Sequence, residues 1–407
     1  MKISNFLPVI LGTDWNVYGV ASSFHEAFGI RSAAIGMRPQ MYTTKLPFLD
    51  VYCHEDFDKS HVFVEELLDF ARSAQANAAA KNISLTLLLV SCSDYYTKLI
   101  TQNKDKLQEK YVINCIDDDL RKKLENKKDF YAICEDYGLN YPDTAIVTSE
   151  NYSEFEAPFA FPLMAKPNDS IKWFNIPHYE GYKKAYKVED AGQLSEILKQ
   201  AYSHGYDDDF IIQDYIPDDG PGFVVNSYSD SHGKVIMTSA ARVLLEECLP
   251  ADIGNYNALL TGHYPELTQM VKSFLEAIEY RGFANMDFRF DARDSSYKVF
   301  EINIRQGRSS YYMTAAGNNF VSYLVADMID GESLGYSDFT DEHLWYITSK
   351  YVLKNFSCEK DKAKIRSLLR EGKASYGLSY GAYSNIYRFW VALRRKLSTT
   401  KYYRLFG

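Results

Sequence analysis

The stretch Gly282–Arg308 reads GFANMDFRFDARDSSYKVFEINIRQGR. Two strand-like runs, Phe283–Phe290 and Tyr297–Ile302, flank the turn-forming segment Asp291–Ser296, a spacing that predicts an antiparallel hairpin. Asp287 falls mid-strand in the first run, and Glu301 and Asn303 stand two apart at the end of the second. Side chains at i and i+2 of a strand share a face, so Glu301 and Asn303 point together and Asp287 can join them across the hairpin. Two carboxylates and one amide oxygen are donors that a hard divalent cation such as Mg2+ takes. The competing reading is a solvated hairpin with polar residues facing water. Against it, Glu301 and Asn303 interrupt an otherwise apolar strand.

The surrounding chain sets the frame. Its 407 residues, 46% apolar and 24% charged, suit a globular protein of two or three domains. The net charge of −9 leaves no overall nucleic-acid footprint. Cys53, Cys92, Cys115, Cys134, Cys248 and Cys358 are scattered, without CxxC or metal-like histidine spacing. They read as reduced thiols, hence a reducing, cytoplasmic compartment. No secretion signal is expected, and the apolar run Leu85–Val90 has the length of a strand and not of a membrane span.

Residues 1–116 alternate strand and helix signals: strands at Leu7–Leu11, Ala33–Ile35, Leu85–Val90 and Tyr111–Cys115, with helices over Val17–Phe28 and His61–Ala80. This is the pattern of an open α/β layer. The turn Gly12-Thr13-Asp14 lacks the GxGxxG spacing of a dinucleotide site. Beyond it, helices are predicted at Lys127–Tyr137, Ala191–His204 and Pro265–Tyr280, among short strands at Thr144–Val147, Phe161–Lys166 and Phe210–Gln213. A second hairpin joins Gly222–Ser229 to Lys234–Arg242, and Pro167–Glu180 reads as a polar loop. Mixed strands and helices of this kind fit two α+β lobes, 117–208 and 209–335, followed by a helical extension, 336–407. Lys166 ends an apolar strand, where a lysine either meets an anion such as phosphate or snorkels to solvent.

The ordered series Lys127, Lys166, Gln213, Asp287, Glu301, Asn303, Arg305 resembles the ATP-grasp superfamily. The resemblance implies a pre-ATP-grasp α/β domain followed by two lobes that clamp ATP. Asp287, Glu301 and Asn303 would then hold Mg2+, two ions by the superfamily pattern, with Mn2+ as a substitute. Lys127, placed by the Asn126-Lys127-x-x-Phe130 spacing, and Lys166 would position the phosphates, with Lys183 and Lys184 near them. Gln213-Asp214-Tyr215-Ile216 would form the hinge that binds adenine, and the ribose acid falls to Asp218 or Asp219. Arg242 is either a γ-phosphate contact or a surface arginine. Arg305 would stabilise an oxyanion, although Ile304 stands where the superfamily has proline. Arg308, with Ser309 and Ser310, would hold an acidic substrate's carboxylate or else pair with a local acid.

Longer strings resemble one branch, the D-aspartate ligases of peptidoglycan synthesis: Val9–Gly19, Gln213–Pro217, Ile253–Tyr256, Gly282–Asn285 and Glu301–Ser310, over about residues 7–330. That implies an ATP-dependent ligase joining the β-carboxyl of D-aspartate to the lysine side-chain amine of a UDP-linked muramyl pentapeptide. The alternatives are a ligase for another amino acid or small acid and a nucleotide-binding regulator without turnover. Finally, residues 384–407 carry Arg388, Arg394, Arg395, Lys396, Lys401 and Arg404, aromatic residues and no acid. Such a helix either packs on the acidic body of the chain or lies on an anionic membrane, at its inner face.

Overall fold

The computed structural model describes residues 5–217, 220–249 and 254–407, with the side chains of all but 170 and 171. Asp218, Asp219 and Ile253 lie outside the described residues.

Five parallel strands form the N-terminal sheet: β1 (Phe6–Leu11), β2 (Ser32–Gly36), β3 (Leu49–Cys53), β4 (Thr86–Ser91) and β5 (Tyr111–Val112), in the order β3-β2-β1-β4-β5. Val9, Ile10, Leu11, Leu88 and Leu89 are buried, as a parallel sheet covered on both faces requires. The helices Trp15–Phe28 and Ser60–Ala79 follow the predicted bounds closely. The predicted strand Tyr111–Cys115 shortens to two residues, and β3 escaped the sequence reading because its burial pattern is broken by exposed positions.

A second sheet is antiparallel: β6 (Thr144–Val147), β7 (Leu163–Pro167), β8 (Tyr186–Val188) and β9 (Phe210–Asp214), ordered β6-β9-β7-β8. One face packs Leu163, Ala165 and Ile212 against Leu194 and Leu198 of the helix Ala191–Ser203. The expected loop Pro167–Glu180 is instead anchored. Ser170–Asn175 is a helical turn whose Trp173 is fully buried, stacks on Tyr182 at 4.9 Å and donates Nε1–H to the Lys183 carbonyl at 3.0 Å. Burial of Trp173 outweighed the polar local composition.

The third sheet comprises β10 (Gly222–Ser229), β11 (Val235–Glu246), β12 (Tyr256–Thr261), β13 (Gly282–Asp291), β14 (Ser296–Asn303), β15 (Ser337–Phe339), β16 (Leu344–Tyr346) and β17 (Ala374–Tyr376). Its order is β14-β13-β10-β11-β12-β16-β17, with β15 alongside β11. Residues 336–407 are therefore not a purely helical extension. Strands too short to show a period of two add to this sheet, and the helices Glu359–Glu371 and Ile386–Phe406 pack within the same core.

The chain divides into two compact units. The first comprises 1–121, 224–285 and 303–407, and the second 122–223 and 286–302. This differs from the four-part division by sequence, because Val224, Ile236, Leu259 and Trp345 share one core with Val17, Tyr18 and Val20.

Candidate active site

In the second unit, Asn126 caps the helix Lys127–Asp136 by accepting from the Asp129 amide at 3.1 Å. Buried Asn168, just past β7, accepts the Lys128 amide at 3.1 Å, and its carbonyl accepts from Lys127 Nζ at 3.3 Å. This clamp brings Lys127 beside Lys166. Lys128, the neighbour that periodicity left open, is exposed and pairs with Asp209 at 3.2 Å.

Along β7, Leu163, Ala165 and Pro167 face the core, which leaves Lys166 on the other face with its Nζ 5.3 Å from the Phe300 ring centroid. Burial pushes Lys166 down to about 8, Lys127 and Lys184 push the same way, and Glu301 opposes them. Lys127 is also lowered, again by burial first, with Glu301 raising it and Lys184 lowering it. Crowded ammonium groups around one carboxylate are what a site for a polyanion looks like before the anion arrives. Lys184 contributes charge to this group; Lys183 is exposed and its backbone serves Trp173 and Tyr186.

Asp287 is half-buried on β13 and Glu301 exposed on β14, both in this unit. The hairpin carrying them is pinned at its turn. The fully buried Asp291 carboxylate binds Arg293 at 2.7 Å and Lys298 at 2.9 Å, and Arg293 reaches Asp214. Of the hinge residues, Gln213 is buried and donates to Thr144 Oγ1 at 2.9 Å. Tyr215 lies under Lys187 at 4.7 Å, and Ile216 is buried.

In the first unit, the order of the parallel sheet turns back beside β1, so the loops after β1 and β4 form a topological switch point. Asp14 caps the helix Trp15–Phe28 there, and Asn16 Nδ2 donates to the Cys92 carbonyl at 2.9 Å. The segment after β14 meets these loops. Arg305 donates to Asp94 at 2.8 Å and to Asn303 Oδ1 at 3.2 Å, and Gln306 Nε2 reaches Cys92 Sγ at 3.1 Å. Burial pulls Arg305 down, but Asp94, Cys92 and Asp14 act together against it and the net shift is upward. Burial raises the Asp14 carboxyl, while the Val17 amide, Arg308 and Arg305 hold it back. Gly307 allows a close approach: its amide donates to Asn226 Oδ1 at 2.8 Å, and a Cβ there would lie 2.8 Å from Asn285 Nδ2. Asn303 Nδ2 donates to Asn285 Oδ1 at 3.1 Å, while Asn285 Nδ2 and Ser310 Oγ are buried with no hydrogen-bond partner among the described residues.

Arg242 stands apart from these groups. It binds Asp361 through both terminal nitrogens, at 3.1 and 2.6 Å, within the first unit. Asp94, Asn168, Asn285 and Gln306 were not selected from sequence, because their roles arise from contacts tens to hundreds of residues away.

Among the described residues, no three His, Cys, Asp or Glu side chains gather as a ready metal cage. Of the expected set, Asp287 and Glu301 of the second unit supply oxygen anions, the donor chemistry Mg2+ accepts alongside substrate phosphates, and Asn303 falls in the first unit.

The fold is shared with solved ATP-grasp structures. These include an L-amino acid ligase from Bacillus licheniformis (TM-score 0.55, 15% identity, 81% of this chain and 75% of that one). An ADP complex of N5-carboxyaminoimidazole ribonucleotide synthetase matches with TM-score 0.58 and 14% identity over 84% of this chain and 81% of its own. The biotin carboxylase domain of Hydrogenobacter thermophilus 2-oxoglutarate carboxylase, bound to MgADP and bicarbonate, matches with TM-score 0.58 and 12% identity over 83% and 72%. No protein-family model matches the chain. A curated D-aspartate ligase of Enterococcus faecium (strain Aus0004) is 36% identical over 400 residues, 96% of this chain and 93% of that protein. The similarity thus runs well past residue 330, where the resemblance read from sequence stopped. The chain belongs to the D-aspartate ligase family of ATP-grasp proteins and is an ATP-dependent carboxylate–amine ligase. ATP and Mg2+ are the cofactors consistent with these neighbours.

Proposed function

We propose that this ligase joins the β-carboxyl of D-aspartate to the lysine side-chain amine of a UDP-linked muramyl pentapeptide, in the cytoplasm. The observation that carries the reading is the grouping of Lys127, Lys166 and Lys184 about Glu301, a charge arrangement suited to a triphosphate. The 36% identity to a D-aspartate ligase supports the choice of amino acid, and six free cysteines support the compartment.

A carboxylate is a poor acylating agent, so one of its oxygens first takes the γ-phosphoryl group and ADP leaves. The amine, once deprotonated, attacks the acyl carbon; the C–N bond forms and phosphate departs with the electrons of the C–O bond. Lys127 and Lys166 bind phosphate oxygens and orient them. Asp287, Glu301 and Asn303 are the residues that would hold Mg2+, two ions in our reading, with Mn2+ as an acceptable substitute. When bound, the metal neutralises charge on the phosphates being rearranged. Arg305 stabilises the oxyanion formed by amine attack, and Arg308 with Ser310 holds the carboxylate of the acid that is not activated. Gln213 to Ile216 supply the hinge for the adenine. Asp219, the ribose candidate, enters only from the sequence.

The test is ADP release with a panel of L- and D-amino acids, with and without the pentapeptide. Release that requires D-aspartate and the acceptor together is expected; strict dependence on another amino acid would overturn the substrate assignment. Glu301→Gln keeps size and loses charge. It should cut turnover by roughly a hundredfold or more with an unchanged circular dichroism spectrum. Normal turnover would remove Glu301 from the metal site.

A further inference from the structure

The helix Ile386–Phe406 has two faces of different fate. Its inner face is built into the first unit: Arg388 is buried, donates to the Met41 and Tyr42 carbonyls at 3.1 and 2.8 Å and lies 5.4 Å from the Tyr18 ring. Arg395, on the same side, binds Glu247 at 2.6 Å. This face carries the main packing on the body of the chain, while Arg394 lies 4.0 Å from Met41 Sδ and Arg404 4.9 Å from the Tyr351 ring.

The opposite face is apolar and uncovered. Ile386, Trp390, Leu393 and Leu397 recur at spacings of four, three and four, which aligns them on one stripe. Ile386 is 87% exposed, Trp390 54% and Leu397 62%. Arg394 borders the stripe, and Lys401 and Arg404 continue it toward the C-terminus, all three exposed. Residues 384–407 contain no acid, in a chain whose net charge is −9. Water-facing helix surfaces are ordinarily polar, and four large apolar side chains in register leave a continuous strip.

We propose that this outer face is an interfacial docking surface for an anionic lipid bilayer. The charge pattern selects that occupant. Apolar side chains enter the acyl boundary while cations on the same face meet lipid phosphates, and tryptophan favours that depth. A second copy of the chain fits less well, because apposed stripes would bring Arg394, Lys401 and Arg404 of both copies together. Insertion across the bilayer is a different matter: no helix among the described residues is long and apolar enough to span. The proposal is independent of substrate identity, since none of these residues belongs to the candidate active site.

The experiment mixes the full chain with vesicles of phosphatidylcholine alone or with phosphatidylglycerol, followed by sedimentation and tryptophan emission. Trp15, Trp173 and Trp345 are buried, so an emission change reports Trp390. Expected are binding to the anionic vesicles with a blue shift, a loss of about tenfold in W390S/L397S, and a loss of about fivefold for each cation removed in R394Q/K401Q. Ligation of soluble substrates should be unchanged in both variants, which separates lost docking from lost folding. Equal binding to both vesicle types, or no effect of W390S/L397S, overturns the proposal. So does a dimer in analytical ultracentrifugation that W390S/L397S disperses without any vesicle binding, which would make a second copy the occupant.

Discussion

At the scale of single residues, the chemistry we propose turns on lysines held where water is scarce. Lys166 sits at about 8 because burial, Lys127 and Lys184 all disfavour its charge. A lysine lowered from 10.5 to about 8 costs folded-state stability below pH 8, where both states carry the proton, and that cost is relieved as pH rises through the interval. A bound polyphosphate reverses the preference and restores the proton. Nucleotide binding at pH 8 should therefore take up roughly half a proton at this site. Titration calorimetry in two buffers of different ionisation heat measures it, and Lys166→Met should abolish most of the uptake. Uptake unchanged in the variant would place the proton elsewhere. Lys127 and Lys166 were both singled out from sequence, whereas only the fold shows Asn168 accepting from the Lys127 ammonium and the Lys128 amide.

At the scale of elements, the hairpin β13–β14 does two jobs. Its strands carry Asp287 and Glu301, and its turn holds the buried Asp291 carboxylate against Arg293 and Lys298, which keep that carboxyl well below the usual carboxylate range. Arg293 is the largest of those causes. Stability from a depressed carboxyl is present above the ordinary aspartate value and fades as pH falls below it. Asp291→Asn should therefore cost about 2 kcal/mol at neutral pH, read as a lowered midpoint in thermal or denaturant melts. The gap to the parent should narrow below about pH 4. A gap that stays constant with pH would show the loss to be packing alone. The hairpin itself was plain from alternating runs around a turn. The helix at Ser170–Asn175 was not, because nothing local reveals that Trp173 is covered by Tyr182, Tyr206 and Phe210.

At the scale of the whole molecule, the residues we propose for phosphate, Lys127 and Lys166, belong to the second compact unit, and the switch-point loops with Arg305 and Arg308 belong to the first. Hydrogen exchange should separate them. ADP with Mg2+ should slow exchange around 127–131, 163–168 and 210–216, while the amino acid substrate should slow it around 12–16 and 305–310. Substrate protection confined to the second unit would contradict the division. The basic tail belongs to this scale as well: its inner face completes the first unit, and its outer face exposes Ile386, Trp390 and Leu397.

The order of the lysines, the hinge and the D…E-x-N motif is a one-dimensional pattern, and the chain alone determined the ATP-grasp class through it. Strand period and turn chemistry likewise determined the hairpin and the parallel layer, because those signals are carried by neighbours in sequence. Only the tertiary structure decided which cations are spoken for. Arg242 belongs to Asp361, Arg395 to Glu247 and Arg305 to Asp94, each across more than a hundred residues. It also decided that short strands at 337–339, 344–346 and 374–376 join a sheet whose other members lie far upstream. The reason is common to all of these: an ion pair or a three-residue strand has no periodicity of its own, and its stability comes from a partner that only folding brings near.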